Sequence, residues 1–249
     1  LRDYIRKSVA LYNIQGKGII GWFLAFFKNP DPMHLVYRRV GLKVSDRLLD
    51  VGGGAGAHVL SLFRLGFRRV MSVDPYISRD VLNGNEIIAK KSELYDIHGQ
   101  YDLITFHHSL EHMPSQAKIM AKAAELIGPE GRILIRIPTV TSTAWGKYRA
   151  NWVNLDAPRH FYLHSHFSIR LLAKKAGLKV LDFWSDSVSM QFWGSEQYIR
   201  DIPLTDARSY SQDKNTSIFS PAQILDYQRT AIALNKEEKG DWICVVLGK

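Results

Sequence analysis

One cysteine, Cys244, is all that the 249 residues contain, so no intramolecular disulfide can form and a cysteine-rich zinc site is excluded. Long apolar runs are also missing. The longest, Gly18 to Phe27, falls well short of the ~20 residues that a membrane-spanning helix needs. Internal repeats, low-complexity tracts and runs of five or more basic residues are absent, which argues against solenoids, disordered linkers and basic nucleic-acid arms. No helix-turn-helix, zinc-finger or RNP-type pattern appears either, so nucleic acid is not an expected partner. Acid is in deficit: 24 Asp and Glu face 33 Lys and Arg, a net charge of +9. That excess suits an anionic partner, such as a phosphorylated small molecule or an anionic membrane surface. The charges are scattered (Arg68-Arg69, Lys90-Lys91, Lys174-Lys175), a distribution that also describes a solvated surface. The chain starts at Leu1 without a charged-then-apolar leader, and the expected setting is a reducing one, the cytoplasm.

What is present is enough for a full core, with 46% hydrophobic and 23% charged residues. The pattern is one of alternation. Short apolar runs at 47–51, 69–73, 86–89, 101–106, 132–137, 178–184 and 242–247 read as strands. Helical spacing occupies 57–65, 115–127 and 167–176. Strands separated by helices imply a mostly parallel sheet with helices on both faces. Three segments stand outside the alternation: an aromatic-rich leading segment at 1–44 and insertions at 138–164 and 188–240. The rest, 45–249, is expected to be one catalytic domain, with the insertions forming its substrate side. In an open parallel sheet a ligand binds at the carboxyl ends of the strands.

Asp50-Val51-Gly52-Gly53-Gly54-Ala55-Gly56 follows the first strand and opens a helix. Glycines there allow a tight turn and a close approach of ligand to backbone and helix N-terminus. Two readings compete. Gly52, Gly54 and Ala57 satisfy the dinucleotide fingerprint G-x-G-x-x-A, which would make the chain a nicotinamide-dependent enzyme acting on a sugar nucleotide. Asp50, Gly52, Gly54 and Gly56 equally satisfy D-x-G-x-G-x-G. An acid at the head of the turn repels a pyrophosphate and favours a sulfonium and ammonium, so Asp50 tips the balance toward the second. Asp74, at the end of the next strand and followed by Pro75, is placed to accept both ribose hydroxyls.

Together, Asp50 to Gly56, Ser72-Val73-Asp74, Tyr101-Asp102-Leu103-Ile104, Leu110-Glu111-His112 and Gly131-Arg132-Ile133-Leu134-Ile135 resemble, in order and spacing, the successive motifs of class I S-adenosylmethionine-dependent methyltransferases. The resemblance implies a Rossmann-like fold with a seven-stranded sheet, its last strand antiparallel and inserted between strands five and six. It also implies S-adenosyl-L-methionine as cofactor, held by Asp50, Gly52, Gly53, Gly54, Gly56, Asp74, Pro75, His107 and His108. The family's acid for the adenine amino group has no assignable counterpart around Ser92-Glu93. Trp152 to Phe161 is similar to a segment of bacterial methyltransferases linked to cell-envelope and surface-sugar pathways, which implies a sugar-like or acidic acceptor.

Methyl transfer to a hydroxyl needs a positioned acceptor and a place for its proton. His160 is the expected base, with Asp156 orienting its ring, Arg159 holding the substrate, and His108 next in line. Glu111 is expected to be a structural partner or an acid on the cofactor side. The pairs His108/His112 and His160/His164 have metal-like i, i+4 spacing, but without an H-E-x-x-H pattern no metal is expected. Trp22, Phe23, Phe26 and Phe27 form a stripe that packs on the core or meets a membrane surface. A non-catalytic module that binds S-adenosylmethionine is the alternative to an enzyme.

Overall fold

The computed structural model describes residues 2–27 and 30–249; Leu1, Lys28 and Asn29 of the leading segment lie outside the described residues. Three helices come first: α1 (Arg2–Gln15), α2 (Ile19–Ala25) and α3 (Pro32–Val40). Asp31 caps α3 by accepting from Met33 N at 2.9 Å, Pro32 takes its first turn, and Gly41 ends it with a left-handed φ of 75°. The alternation follows with β1 (Leu48–Val51), α4 (Ala57–Leu65), β2 (Val70–Val73), β3 (Val81–Asn83), β4 (Glu86–Lys90), β5 (Tyr101–His107), α5 (Gln116–Leu126) and β6 (Ile127–Pro138). Then come α6 (Thr143–Tyr148), α7 (His166–Lys175), β7 (Lys179–Ser185), α8 (Met190–Tyr198), α9 (Pro221–Lys236) and β8 (Trp242–Gly248).

The strands run in the order β3-β4-β2-β1-β5-β6-β8-β7. β1 pairs parallel with β2 and β5, and β2 with β4, as the alternation requires. β8 lies between β6 and β7 and runs antiparallel to β7, the placement implied for the last strand. The expected count of seven strands is corrected to eight. The addition is β3, a three-residue edge strand antiparallel to β4. Gly84-Asn85, with Gly84 at φ 64°, makes the hairpin turn between them. So short and largely exposed a strand carries no alternating apolar signal, and only the Gly-Asn pair betrays it.

The chain divides into two compact units, and β5 and β6 contribute to both. The first holds Leu1–Thr105, Lys122–Leu134 and Lys249. The leading helices therefore belong with β1 to β4. Leu48, Leu49, Val59, Leu103 and Ile104 are buried in this unit. The second holds Phe106–Ala121 and Ile135–Gly248 and includes both insertions. In it Ala144, Tyr148, Trp152, Val153, Phe192 and Ala231 form one hydrophobic cluster. Among the described residues no helix is long and apolar enough to cross a membrane.

Candidate functional site

In the first unit β1 delivers the glycine loop and α4 receives it. Gly52, Gly54 and Gly56 have φ of 75°, 56° and 74°, the left-handed region that side chains rarely adopt. Gly52 N donates to Val73 O at 2.8 Å, tying the loop to the end of β2. Gly53 is needed for a different reason: a Cβ there would sit 2.2 Å from Asp50 Oδ2 and 2.4 Å from Ser72 Oγ. Above Gly54, by contrast, a Cβ would meet nothing within 4 Å, so the loop presents bare backbone to open space. No side chain caps the start of α4 at Gly56, which leaves its first N–H groups for a ligand.

Asp74 stands over this loop. Its Oδ2 accepts from Gly54 N at 2.9 Å and its Oδ1 from Tyr76 N at 2.8 Å, a turn that Pro75 starts. Each carboxylate oxygen keeps a further lone pair. Asp50 lies beneath the loop, 2% exposed, and Thr105 Oγ1 donates to its Oδ1 at 2.7 Å. Burial pushes its carboxyl up to about 7; the bond from Thr105 opposes the rise and the charge of Asp74 adds to it. Asp50 thus supports the loop from below. Ser92 Oγ bonds Glu93 O at 3.2 Å, and neither side chain is marked as an adenine contact.

In the second unit His107 ends β5 and His108 follows in a left-handed conformation, φ 50°. His108 Nε2 lies 2.9 Å from Arg136 Nη1. A guanidinium can only donate, so Nε2 is the accepting nitrogen of this ring. Arg136 is itself paired with Asp186 and stacked over Trp242, 4.7 Å from the ring centroid. Of the two nitrogens expected to meet cofactor or acceptor, Nε2 is taken by Arg136 and Nδ1 faces Glu111 Oε1 at 3.5 Å.

The insertion is stitched to the turn after β5. Phe161 N donates to Glu111 O at 2.8 Å, and His112 Nδ1 meets Arg159 O at 3.0 Å. These bonds bring His160 to His112, with ring centroids 4.7 Å apart. His160 is almost buried, 8% exposed at the side chain, and burial lowers its pKa. The expected division of labour is corrected here. The carbonyl of Asn154, 2.9 Å from Nδ1, orients the ring, while Asp156 Oδ2 stands 3.7 Å from Nε2 on the other side. Arg159 does not reach outward; its Nε and Nη2 grip Asp156 Oδ1 at 3.0 and 2.6 Å. His164 is a satisfied core histidine, with Ser168 Oγ at 3.0 Å and Gln116 Oε1 at 2.6 Å from its two nitrogens.

Asp241, which the sequence reading did not single out, anchors the insertion. Fully buried and pushed up to about 6, it accepts from Trp152 Nε1 at 2.9 Å and Asn154 Nδ2 at 2.6 Å. It lies far from them in sequence, and an isolated acid just before a strand gives no signal. A Tyr-x-x-x-Lys spacing, the pair a nicotinamide-dependent enzyme would use, occurs at Tyr210 and Lys214. There Tyr210 packs against Trp193, with centroids 5.3 Å apart, and against Phe219.

A family model described as a methyltransferase domain matches residues 24–182. Ubiquinone biosynthesis O-methyltransferase of Serratia proteamaculans (strain 568) is 28% identical over 127 residues, 47% of this chain and 53% of that protein. The protein of the same name from Sodalis glossinidius (strain morsitans) is 28% identical over 47% of this chain and 51% of its own length. The chain thus spans about half the length of these curated relatives. Among solved structures, an S-adenosylmethionine-dependent methyltransferase from Mesorhizobium loti superposes with a TM-score of 0.55 at 12% identity, covering 88% of this chain and 98% of the other. Mycolic acid cyclopropane synthase CmaA1, complexed with SAH and CTAB, superposes at 0.51 and 14% identity over 87% of this chain and 85% of its own. These likenesses show the fold.

Proposed function

The chain belongs to the methyltransferase-domain family, and from that premise we propose that it transfers a methyl group from S-adenosyl-L-methionine to an oxygen of a small-molecule acceptor. The observation that carries the reading is the glycine loop. It offers open backbone at Gly54, an uncapped start of α4, and the carboxylate of Asp74 beside Gly54 N. The carboxylates of Asp74 and Asp50 fit the cofactor's ribose and cationic centres better than a pyrophosphate, and the open N–H groups at the start of α4 are left for the cofactor's own carboxylate. When bound, the cofactor supplies an electrophilic sulfonium methyl. Asp74 takes the ribose hydroxyls on its remaining lone pairs. Asp50 holds the loop through Thr105 and Gly53 and contributes negative charge under the cationic end.

The acceptor's hydroxyl is activated at the cluster of Glu111, His112 and His160 in the second unit, with the Asn154 carbonyl fixing the His160 ring. Oxygen is favoured over carbon or nitrogen because the relatives of highest identity reported above are named O-methyltransferases. The net charge of +9 supports an acidic or phosphorylated acceptor, and the likeness of Trp152 to Phe161 supports a sugar-like one. The exposed Ile19, Trp22, Phe23, Phe26 and Phe27 support contact with an anionic membrane surface from the cytoplasmic side. The test is incubation of the purified chain with methyl-labelled S-adenosylmethionine and a panel of phenols, sugar phosphates and hydroxy acids. Label should appear in an acceptor in step with S-adenosylhomocysteine. Binding of the cofactor without turnover of any acceptor would instead mark a non-catalytic module.

A further inference from the structure

Glu111 is 1% exposed at its side chain, and among the described residues neither of its carboxylate oxygens has a hydrogen-bond partner. An ionised carboxylate in that position is costly unless a cation meets it. The neighbouring His108 has its Nε2 on Arg136 Nη1 at 2.9 Å and its Nδ1 3.5 Å from Glu111 Oε1, beyond hydrogen-bond length. Two imidazoles do stand beside it. One donor atom from each of Glu111, His112 and His160 lies within 4.8 Å of the others. Both rings have Nδ1 on a backbone carbonyl, His112 on Arg159 O at 3.0 Å and His160 on Asn154 O at 2.9 Å. Carbonyls only accept, so Nδ1 of each ring donates and Nε2 is the nitrogen left to coordinate. A backbone carbonyl behind the far nitrogen is the support that metal-binding histidines carry.

From this geometry we infer that Glu111, His112 and His160 hold a divalent first-row transition-metal ion, with coordination positions left over for an acceptor oxygen. Two imidazoles and one carboxylate suit Zn²⁺, Mn²⁺ or Fe²⁺ and are too nitrogen-rich for Mg²⁺ or Ca²⁺. Donors about 2.1 Å from one tetrahedrally coordinated ion stand about 3.4 Å apart, so a closure of up to about 1.4 Å completes the site. The two segments that must close are already joined by the Phe161-to-Glu111 and His112-to-Arg159 bonds. The role of the ion rests on the methyl-transfer reading, whereas its binding does not. A hydroxyl on the ion loses its proton to water more readily. Its oxygen then forms the new C–O bond as the C–S bond breaks, and that electron pair passes to sulfur, turning the sulfonium into a thioether.

The test uses the full chain without a histidine tag, dialysed against chelator and titrated with ZnCl₂ in a calorimeter. Co²⁺ is added in a parallel absorption experiment. One equivalent should bind, Co²⁺ should give the d–d bands of a low-coordinate site, and Zn²⁺ should raise Tm. Glu111→Gln keeps the side chain's shape, and His112→Ala alters an exposed residue, so both variants should fold. Each should weaken Zn²⁺ binding by at least about tenfold and abolish the Tm shift. No stoichiometric binding by the parent chain overturns the inference, as does binding that both variants retain in full. Zn²⁺ binding without methyl transfer to any acceptor would refute the proposed function and leave the metal site standing. Methyl transfer by a chain that binds no metal would do the reverse.

Discussion

Asp50→Asn separates the charge of the buried acid from its shape. The side chain is 2% exposed, accepts from Thr105 at 2.7 Å, and has its carboxyl pushed from 3.8 to about 7. Because the folded value lies above the unfolded one, the folded chain binds this proton more tightly than the unfolded chain. The resulting stability is fully present below pH 3.8 and is lost as pH rises through about 7. At about 1.36 kcal/mol per unit, the gap amounts to about 4 kcal/mol, an upper figure because water and relaxation soften buried charges. Asparagine can still accept the bond from Thr105 but cannot ionise. Urea unfolding of the two proteins between about pH 4 and 8.5, taken as a difference, cancels the other titrating groups. The parent should lose up to about 4 kcal/mol relative to the variant across that range. A difference that stays flat would refute the buried-acid argument. The same ionisation should serve the cofactor, whose affinity should climb through neutral pH in the parent and not in the variant.

Asp74→Ala should weaken S-adenosylhomocysteine binding at least about tenfold, since charge-assisted hydrogen bonds contribute ~1.5–3 kcal/mol each; calorimetry on folded protein decides it. Gly53→Ala places a methyl 2.2 Å from Asp50 Oδ2, so it should cost about 1–3 kcal/mol in urea unfolding and loosen the cofactor together with the loop. His160→Ala should lower kcat by about a hundredfold or more with cofactor affinity nearly unchanged, and a mutant that keeps its kcat and loses only Tm would make His160 structural. If the acceptor is anionic, its KM should rise between 0.1 and 1 M salt while cofactor affinity holds, because screening shortens from ~10 to ~3 Å.

The parts of the fold that were legible in the sequence are those where local chemistry decides. Asp50 to Gly56 reads as strand, turn and helix because each glycine answers to a backbone demand within a few residues, and Asp31-Pro32 and Gly41 mark α3 in the same way. β3 was missed because three mostly exposed residues have no pattern of their own. The site was half legible. His160 and Asp156 stand together as their spacing suggests, but their roles turn on partners set by the chain's long-range course. Asn154 O takes the orienting bond, Arg159 is spent on Asp156, and Asp241 fixes the insertion from 87 residues away. Glu111 was visible in Leu110-Glu111-His112, yet only its burial without a hydrogen bond to its carboxylate from the described residues gives it a chemical meaning.

The central claim is that the glycine loop under Asp74 holds S-adenosylmethionine. Calorimetric titration of the parent chain and Asp74→Ala with S-adenosylmethionine, S-adenosylhomocysteine and NAD⁺ tests it most directly. The account predicts one-to-one binding of the first two by the parent, loss of at least about tenfold in the variant, and no binding of NAD⁺. Binding of NAD⁺ in preference to S-adenosylmethionine, or equal affinity in the parent and the variant, would contradict it.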